Sequence, residues 1–401
     1  MAGDHTFTNA GWLCDADGVV EAFPLGAELT VEQLSERPHE HLARLRAQEP
    51  VSWLPAIGAW FVTRYDLALA VMHDPDTFTV DDPRFSTARV VGPSMLSLDG
   101  DAHAANRAPF AGPLRPAAVR QRFTEIVTDQ IARLLDGLAP TGGAEMRRSF
   151  AGPLAATVLA KALGLPADRG EALLALYDRI VAGVTSISAG RELPDQARES
   201  FATLDVMLRE TMGGGVLESA AMGSDLTAEQ LISNAAVLLF GGIETTEGMI
   251  ANALLALLEH QEAAAQVRAR PELVDASLEE SLRLEPAAGA VDRYATADTL
   301  VAGASIRAGD LVRVSLSAAN RDPAVFEDAD SYDLARPNVR RHLAFAAGPH
   351  VCLGVHLARL EARLALRALV ERFPRLRLNP DMPSAVGGLV FRKPSALHVL
   401  W

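Results

Sequence analysis

Apolar residues recur at helical spacing through most of the middle of the chain. Between residues 101 and 286, Ala/Leu/Arg-rich stretches return an apolar side chain every three or four places, which predicts a succession of helices with one buried stripe each. A break rich in Ser, Gly and Pro falls at 186–195. Upstream, residues 1–36 read as irregular, Pro38 to Gln48 as a helix, and Val51 to Thr63 as a short hairpin around Pro55 and Gly58. Tyr65 to His73 returns to helix. Residues 76–98, with Pro83, Gly92 and Pro93, predict a long loop, and long loops in compact domains are often functional. Downstream, 298–317 alternates like strands around a turn at Arg307-Ala308-Gly309-Asp310. Residues 319–350 predict an ordered meander, Val355 to Phe373 a helix, and Ala385 to Trp401 short β structure. Strands near the two ends and in one internal patch, around a large helical body, give an α+β fold that is predominantly α-helical. With no internal repeat, low-complexity segment or linker, residues 1–401 are expected to form a single domain.

One helix stands apart. Thr227 and Gln230 make a capping box, and an almost continuously apolar run follows to about His260, so this helix should cross the protein's middle. Its interior holds Gly241, Gly242, Glu244 and Thr245. Each glycine costs about 1 kcal/mol relative to alanine, and a buried Glu costs more unless paired or hydrated. The Thr245 hydroxyl lies four residues after Gly241, placed to bond its carbonyl and open the helix into a notch. The same residues also read as close Gly-Gly packing, with Glu244 simply paired to an arginine.

Composition narrows the class. An apolar content of 49% supports a large core, and a net charge of −14 with few aromatics argues against a nucleic-acid binder. Lys161 and Lys393 are the only lysines, so arginine carries the positive charge. The first residues lack the basic and apolar regions of a signal peptide, and no apolar run reaches membrane-spanning length. Two cysteines, Cys14 and Cys352, permit at most one disulfide. The expectation is a soluble, cytoplasmic protein with reduced thiols.

Cys352 lies between Gly348 and Gly354, just ahead of the helix predicted from Val355. Taken by itself, a buried cysteine is more often inert than functional. A thiolate at this place is positioned to receive backbone N–H groups from a Gly-rich turn and the positive end of a helix dipole. Both favour the anion, so a lowered thiol pKa is expected. Such a thiolate suits axial ligation of haem iron.

The string Phe345-Ala346-Ala347-Gly348-Pro349-His350-Val351-Cys352-Leu353-Gly354 resembles the haem-ligand loop of the cytochrome P-450 family at Phe345, Gly348, Cys352 and Gly354. The family usually has Gly where this chain has Ala346, a departure read as tolerated. Gly241-Gly242-Ile243-Glu244-Thr245 resembles the family's acid–alcohol motif, and Glu280-Ser281-Leu282-Arg283 its Glu-x-x-Arg signature, with Arg336 at the third position of a buried structural triad. The resemblance covers nearly the whole chain. It implies the cytochrome P-450 fold, haem b (iron protoporphyrin IX) and monooxygenase activity using O2. It implies Cys352 as metal ligand, Thr245 and Glu244 as the proton-delivering pair, and Gly241, Gly242 and Phe345 beside the cofactor. His103, Arg107, Arg293 and His350 match positions that anchor the haem propionates.

By the same resemblance, the substrate pocket takes Phe85, Val90, Val91, Met95, Leu96, Leu238, Ala288, Gly289, Val291, Leu389 and Val390. These are apolar or small, so a mostly apolar substrate is expected, with extra room at Ala287-Ala288-Gly289-Ala290 unless those residues mark tight backbone packing. Arg115, Arg120, Arg122, Arg359 and Arg363 flank the cysteine side and suit an acidic redox partner. The implied partners are ferredoxin and a ferredoxin reductase carrying electrons from NAD(P)H. A peroxide-driven oxygenase and a non-catalytic haem-thiolate binding or recruitment module are the alternatives; the intact Glu244-Thr245 pair speaks against both.

Overall fold

The long apolar helix runs from Ala228 to Glu259, with Thr227 and Gln230 forming the reciprocal capping box at its start. The computed structural model describes residues 22–166, 169–188, 192–211 and 214–401. Cys14 and residues 1–21 lie outside the described residues, as do 189–191 of the predicted break. More than half of the long helix is buried, including Leu231, Ile243, Ile250 and Leu254. It packs against Gly152–Leu163, Val274–Leu284 and Val355–Arg372, which present their own apolar faces to it. Burial at roughly 25 cal/mol per Å2 of apolar surface is the force that assembles this body.

A five-stranded sheet flanks the helices, in the order Val51–Leu54, Ala59–Val62, Leu311–Ser315, Ala290–Ala295, Phe78–Thr79. The hairpin predicted around Pro55 and Gly58 sets Trp53 opposite Trp60. Its second strand pairs in parallel with Leu311–Ser315, Trp60 opposite Val312. The turn expected at 307–310 closes with a hydrogen bond from Asp310 N to Arg307 O (3.0 Å).

Three segments depart from the sequence expectation. Within the segment read as irregular, Pro24–Glu28 and Val31–Glu36 are short helices, the second capped by Thr30 and Gln33. Within the stretch read as helical, Gly143–Glu145 is a strand that pairs with His398–Leu400. The predicted 76–98 loop carries a helical turn, Ala88–Val91, and the edge strand Phe78–Thr79. Among the described residues, no helix is long and apolar enough to cross a membrane.

Candidate active site

The cysteine loop is fixed before the helix begins. Cys352 N donates to Phe345 O (2.9 Å) and Val351 N to Gly348 O (3.1 Å). Gly348 has φ +71°, and a Cβ there would sit 2.2 Å from Met72 O, so the loop passes too close to Met72 for any side chain. Cys352 is a free thiol three residues before the start of the helix Val355–Arg372. Burial pushes its thiol up and outweighs the backbone N–H groups of Gly354 and Val355 and the charges of Arg107 and Arg359, which pull it down. The expected lowering is therefore reversed in the protein part alone, because desolvation of the sulfur is the larger effect. A metal cation held by Cys352 would supply the missing stabilisation, since a coordinating thiol ionises outright.

Ala346 adopts φ +57°, the left-handed region that favours glycine. The position read as a tolerated departure is thus strained, by roughly 1–2 kcal/mol. Ala346→Gly is expected to raise stability by about 0.5–1 kcal/mol, the relief being partly offset by the freer unfolded chain. An unchanged or lowered denaturant midpoint would contradict this.

Phe345 lies beneath the Arg359 guanidinium, 4.6 Å from ring centroid to Cζ. Arg359 is itself held by Glu279 (2.7 and 2.8 Å), which also meets His342 at 3.0 Å. Burial alone would raise the Glu279 carboxyl, but His342 and Arg359 hold it down at about 2. Arg359 is therefore partly committed to an internal pair. Arg115, Arg120 and Arg122 are exposed.

His103 and His350 lie against each other, ring centroids 4.4 Å apart and planes tilted by 42°. His350 Nε2 meets Asp99 Oδ1 at 2.7 Å, and Asp99 also accepts from Thr79 Oγ1 (2.7 Å) and Val80 N (2.8 Å). Asp99 was not singled out by sequence reasoning; its position just ahead of the helix Gly100–Ala111 was the available signal. Arg107 donates to Val351 O (2.6 Å), tying its helix to the cysteine loop. Burial first, then His350 and Arg107, lower the His103 imidazole to about 4, so it is neutral near pH 7. His103 Nε2 and Arg293 Nη2 are buried with no hydrogen-bond partner. Orphaned buried donors of this kind are costly. With a free cysteine they fit what haem requires, a sulfur for the iron and N–H donors for carboxylates.

In the long helix, Thr245 Oγ1 donates to Gly241 O, as expected, yet the helix stays continuous from Ala228 to Glu259. The two glycines serve different purposes. A Cβ on Gly242 would meet Leu159 Cδ1 at 2.4 Å, whereas one on Gly241 would find open space. Gly242 is a packing contact, and the notch is the room left by Gly241. Glu244 is buried and paired with a lysine, not an arginine: Lys393 Nζ stands 2.8 Å from Glu244 Oε1 and 2.9 Å from Glu247 Oε2.

A small apolar cavity is lined by Val91, Leu173, Tyr177, Ile180, Leu204, Ala236, Leu239 and Phe240. Of the expected pocket residues, Val91 lines it. Val90 and Met95 are buried in the same apolar core, and Leu96 and Leu238 pack against that core. Val291 packs against the sheet-side cluster and Leu389 against the cluster around Leu29 and Leu34. Phe85, by contrast, is only half-buried. The reading of extra room does not hold at Gly289, where a Cβ would meet Arg392 Cδ at 2.5 Å; close packing explains that glycine. Gly289 N donates to Val390 O (2.7 Å), and Ala288 bridges Phe391.

Behind the loop, Glu280 is fully buried and accepts from Arg283 Nε and Nη2 (2.8 Å each), Arg336 Nε (2.9 Å) and Asp333 N (3.0 Å). This is the expected triad.

Known proteins resemble this chain over most of its length. The family model for cytochrome P-450 matches residues 187–396. The 20-oxo-5-O-mycaminosyltylactone 23-monooxygenase of Streptomyces fradiae is 34% identical over 380 residues, covering 90% of this chain and 87% of the relative. The vitamin D3 dihydroxylase of Streptomyces griseolus is 34% identical over 360 residues, 86% of this chain and 88% of the relative. Among solved structures, a cytochrome P-450 (BioI) in complex with hexadec-9Z-enoic acid ligated acyl carrier protein superposes with TM-score 0.81 at 28% identity, covering 91% of this chain and 98% of that one.

Proposed function

The chain belongs to the cytochrome P-450 family and is a monooxygenase, and we propose that it oxidises a mostly apolar small organic molecule, with Cys352 as the residue that would hold the iron of haem b. A haem held by Cys352 would supply the O2 chemistry, in which one oxygen atom enters the substrate and the other leaves as water for two electrons and two protons. The family requires a redox partner for those electrons. We assign that role to a ferredoxin and its NAD(P)H-dependent reductase, on the exposed arginines of the cysteine side. The whole chain, 1–401, is read as one domain serving this reaction.

The observation that carries the reading is the free Cys352, whose own N–H is held to Phe345 O (2.9 Å), in a loop that at Gly348 passes too close to Met72 for any side chain. His103 and Arg293 would offer their unpaired N–H groups to the haem propionates. Arg107 and His350, already engaged with Val351 and Asp99, would frame the same edge. Thr245 holds a proton-donating hydroxyl beside the space left by Gly241, and Glu244 on the same helix resupplies it. The apolar lining supports an apolar substrate. Hydroxylation and oxidative O-demethylation in secondary metabolism or catabolism both suit this site.

Thr245→Ala tests the proton assignment. The variant should bind haem and substrate like the parent and still consume reductant. Product formed per NADPH or NADH consumed should fall roughly tenfold or more, with hydrogen peroxide rising, at saturating ferredoxin. A substrate for the assay comes from titrating the protein against a diverse library and following the shift toward high-spin iron. Unchanged coupling in Thr245→Ala would assign proton delivery to another route.

A further inference from the structure

Phe240, Glu244 and Glu247 recur at i, i+4 and i+7 on the long helix and so lie on one stripe. The hairpin of Val386–Gly387 and Lys393–Pro394 packs against the helix. Phe391 packs edge-on against Phe240, ring centroids 5.7 Å apart, and Phe240 lines the apolar cavity. Two residues on, Lys393 leaves the extended chain on the same side and reaches Glu244 (2.8 Å) and Glu247 (2.9 Å). Arg392, between them, points the other way and binds Glu285 (3.2 Å). Gly248 packs beside this contact, where a Cβ would lie 3.1 Å from Ala287 Cβ and in ordinary contact with Lys393.

Lys393 thus bridges two carboxylates, and the second has further cationic partners. Glu247 is fully buried and also held by Arg147 Nε at 2.9 Å, with Arg148 Nη1 at 3.7 Å. Arg148 continues outward to the part-exposed Asp178 (3.0 Å). If Lys393 leaves Glu244, its ammonium keeps Glu247 as partner, so neither charge of that second pair is stranded. Glu244 is the one group that gains freedom, and it adjoins Thr245.

We propose that Lys393 is a positioning residue that couples occupancy of the substrate cavity to proton supply. With the cavity empty, Phe391 rests on Phe240 and Lys393 holds Glu244 away from its task. A ring in the cavity displaces Phe391, draws Lys393 off Glu244 and frees the carboxylate. This rests on the reading of Glu244 as the proton-supplying acid. By linkage, a contact that ligand binding must break also weakens the binding of that ligand.

The test uses haem-loaded full-length protein and 4-phenylimidazole, whose ring nitrogen ligates iron and whose phenyl group occupies apolar space. Kd is measured by spectral titration for the parent, Lys393→Met, Glu244→Gln and the double variant, with plain imidazole as the phenyl-free control. Each single variant should bind 4-phenylimidazole about fivefold tighter, the double variant no tighter than either single, and Lys393→Arg like the parent. Imidazole should bind all forms alike. Equal phenylimidazole affinities across the set, additive effects, or a parallel shift with imidazole would each overturn the coupling. If Lys393→Met does not fold, Glu244→Gln and Lys393→Arg carry the same comparison. The product-to-NADH ratio of Glu244→Gln separates the two readings. A reduced ratio without affinity coupling leaves Glu244 as the acid and removes Lys393 from the account. An unchanged ratio removes both.

Discussion

Glu280→Ala should yield little folded, haem-loaded protein. The carboxylate is fully buried and faces two buried guanidiniums, Arg283 and Arg336, as well as the backbone N–H of Asp333. Arg283 also donates to Asn320 O (3.1 Å) and Ser331 O (2.9 Å), so the same guanidinium braces the meander that leads to the cysteine loop. Removing the carboxylate strands both cations, a loss of about 3–5 kcal/mol. Total stability for a domain is only about 5–15 kcal/mol. The exposed Arg367–Glu371 pair makes the control, because Glu371→Ala should change stability by less than about 1 kcal/mol. Yield, haem content and the thermal midpoint of the two variants decide the matter. Parent-like behaviour of Glu280→Ala would mean that the network is dispensable.

The parts of this fold that could be read from sequence are those specified locally. The Thr227/Gln230 cap, the apolar run to Glu259 and the hairpin around Pro55 and Gly58 each depend on neighbours a few residues away, and each is found where it was expected. The helix Val31–Glu36 carried the same kind of signal in Thr30 and Gln33, but it is too short to show an apolar period. The strand Gly143–Glu145 had no local signature, because its partner, His398–Leu400, is the far end of the chain.

The site divides in the same way. The glycines and Cys352 of the haem-ligand loop declare themselves as a string. The ion pairs that tune the site join distant segments: Asp99 with His350, and Lys393 with Glu244 and Glu247. Residue type at one position says little about a partner that only folding supplies. Gly289 shows the converse. Its small size invited a reading of open space, whereas Arg392 packs against it. The direction of the Cys352 shift was likewise hidden, since the N–H groups and helix end are visible in sequence but the depth of burial is not.

Cys352→Ser is the second large effect, and it bears on the central claim. Cys352 is the free cysteine of the described residues, in a loop shaped by Gly348 and held to Phe345 by its own N–H. A serine hydroxyl has nearly the same size, so the loop and the helix behind it should persist, and the change should fall on the ligand alone. A histidine at this place would exchange sulfur for nitrogen and serves as a second probe. Cys14→Ser is the matched control, a cysteine in no motif. The measurement is the absorption spectrum of the reduced, carbon monoxide-treated protein. Parent and Cys14→Ser should both show the red-shifted band characteristic of thiolate ligation, and Cys352→Ser and Cys352→His should show none of it. A full red-shifted band in either Cys352 variant would contradict the account at its centre.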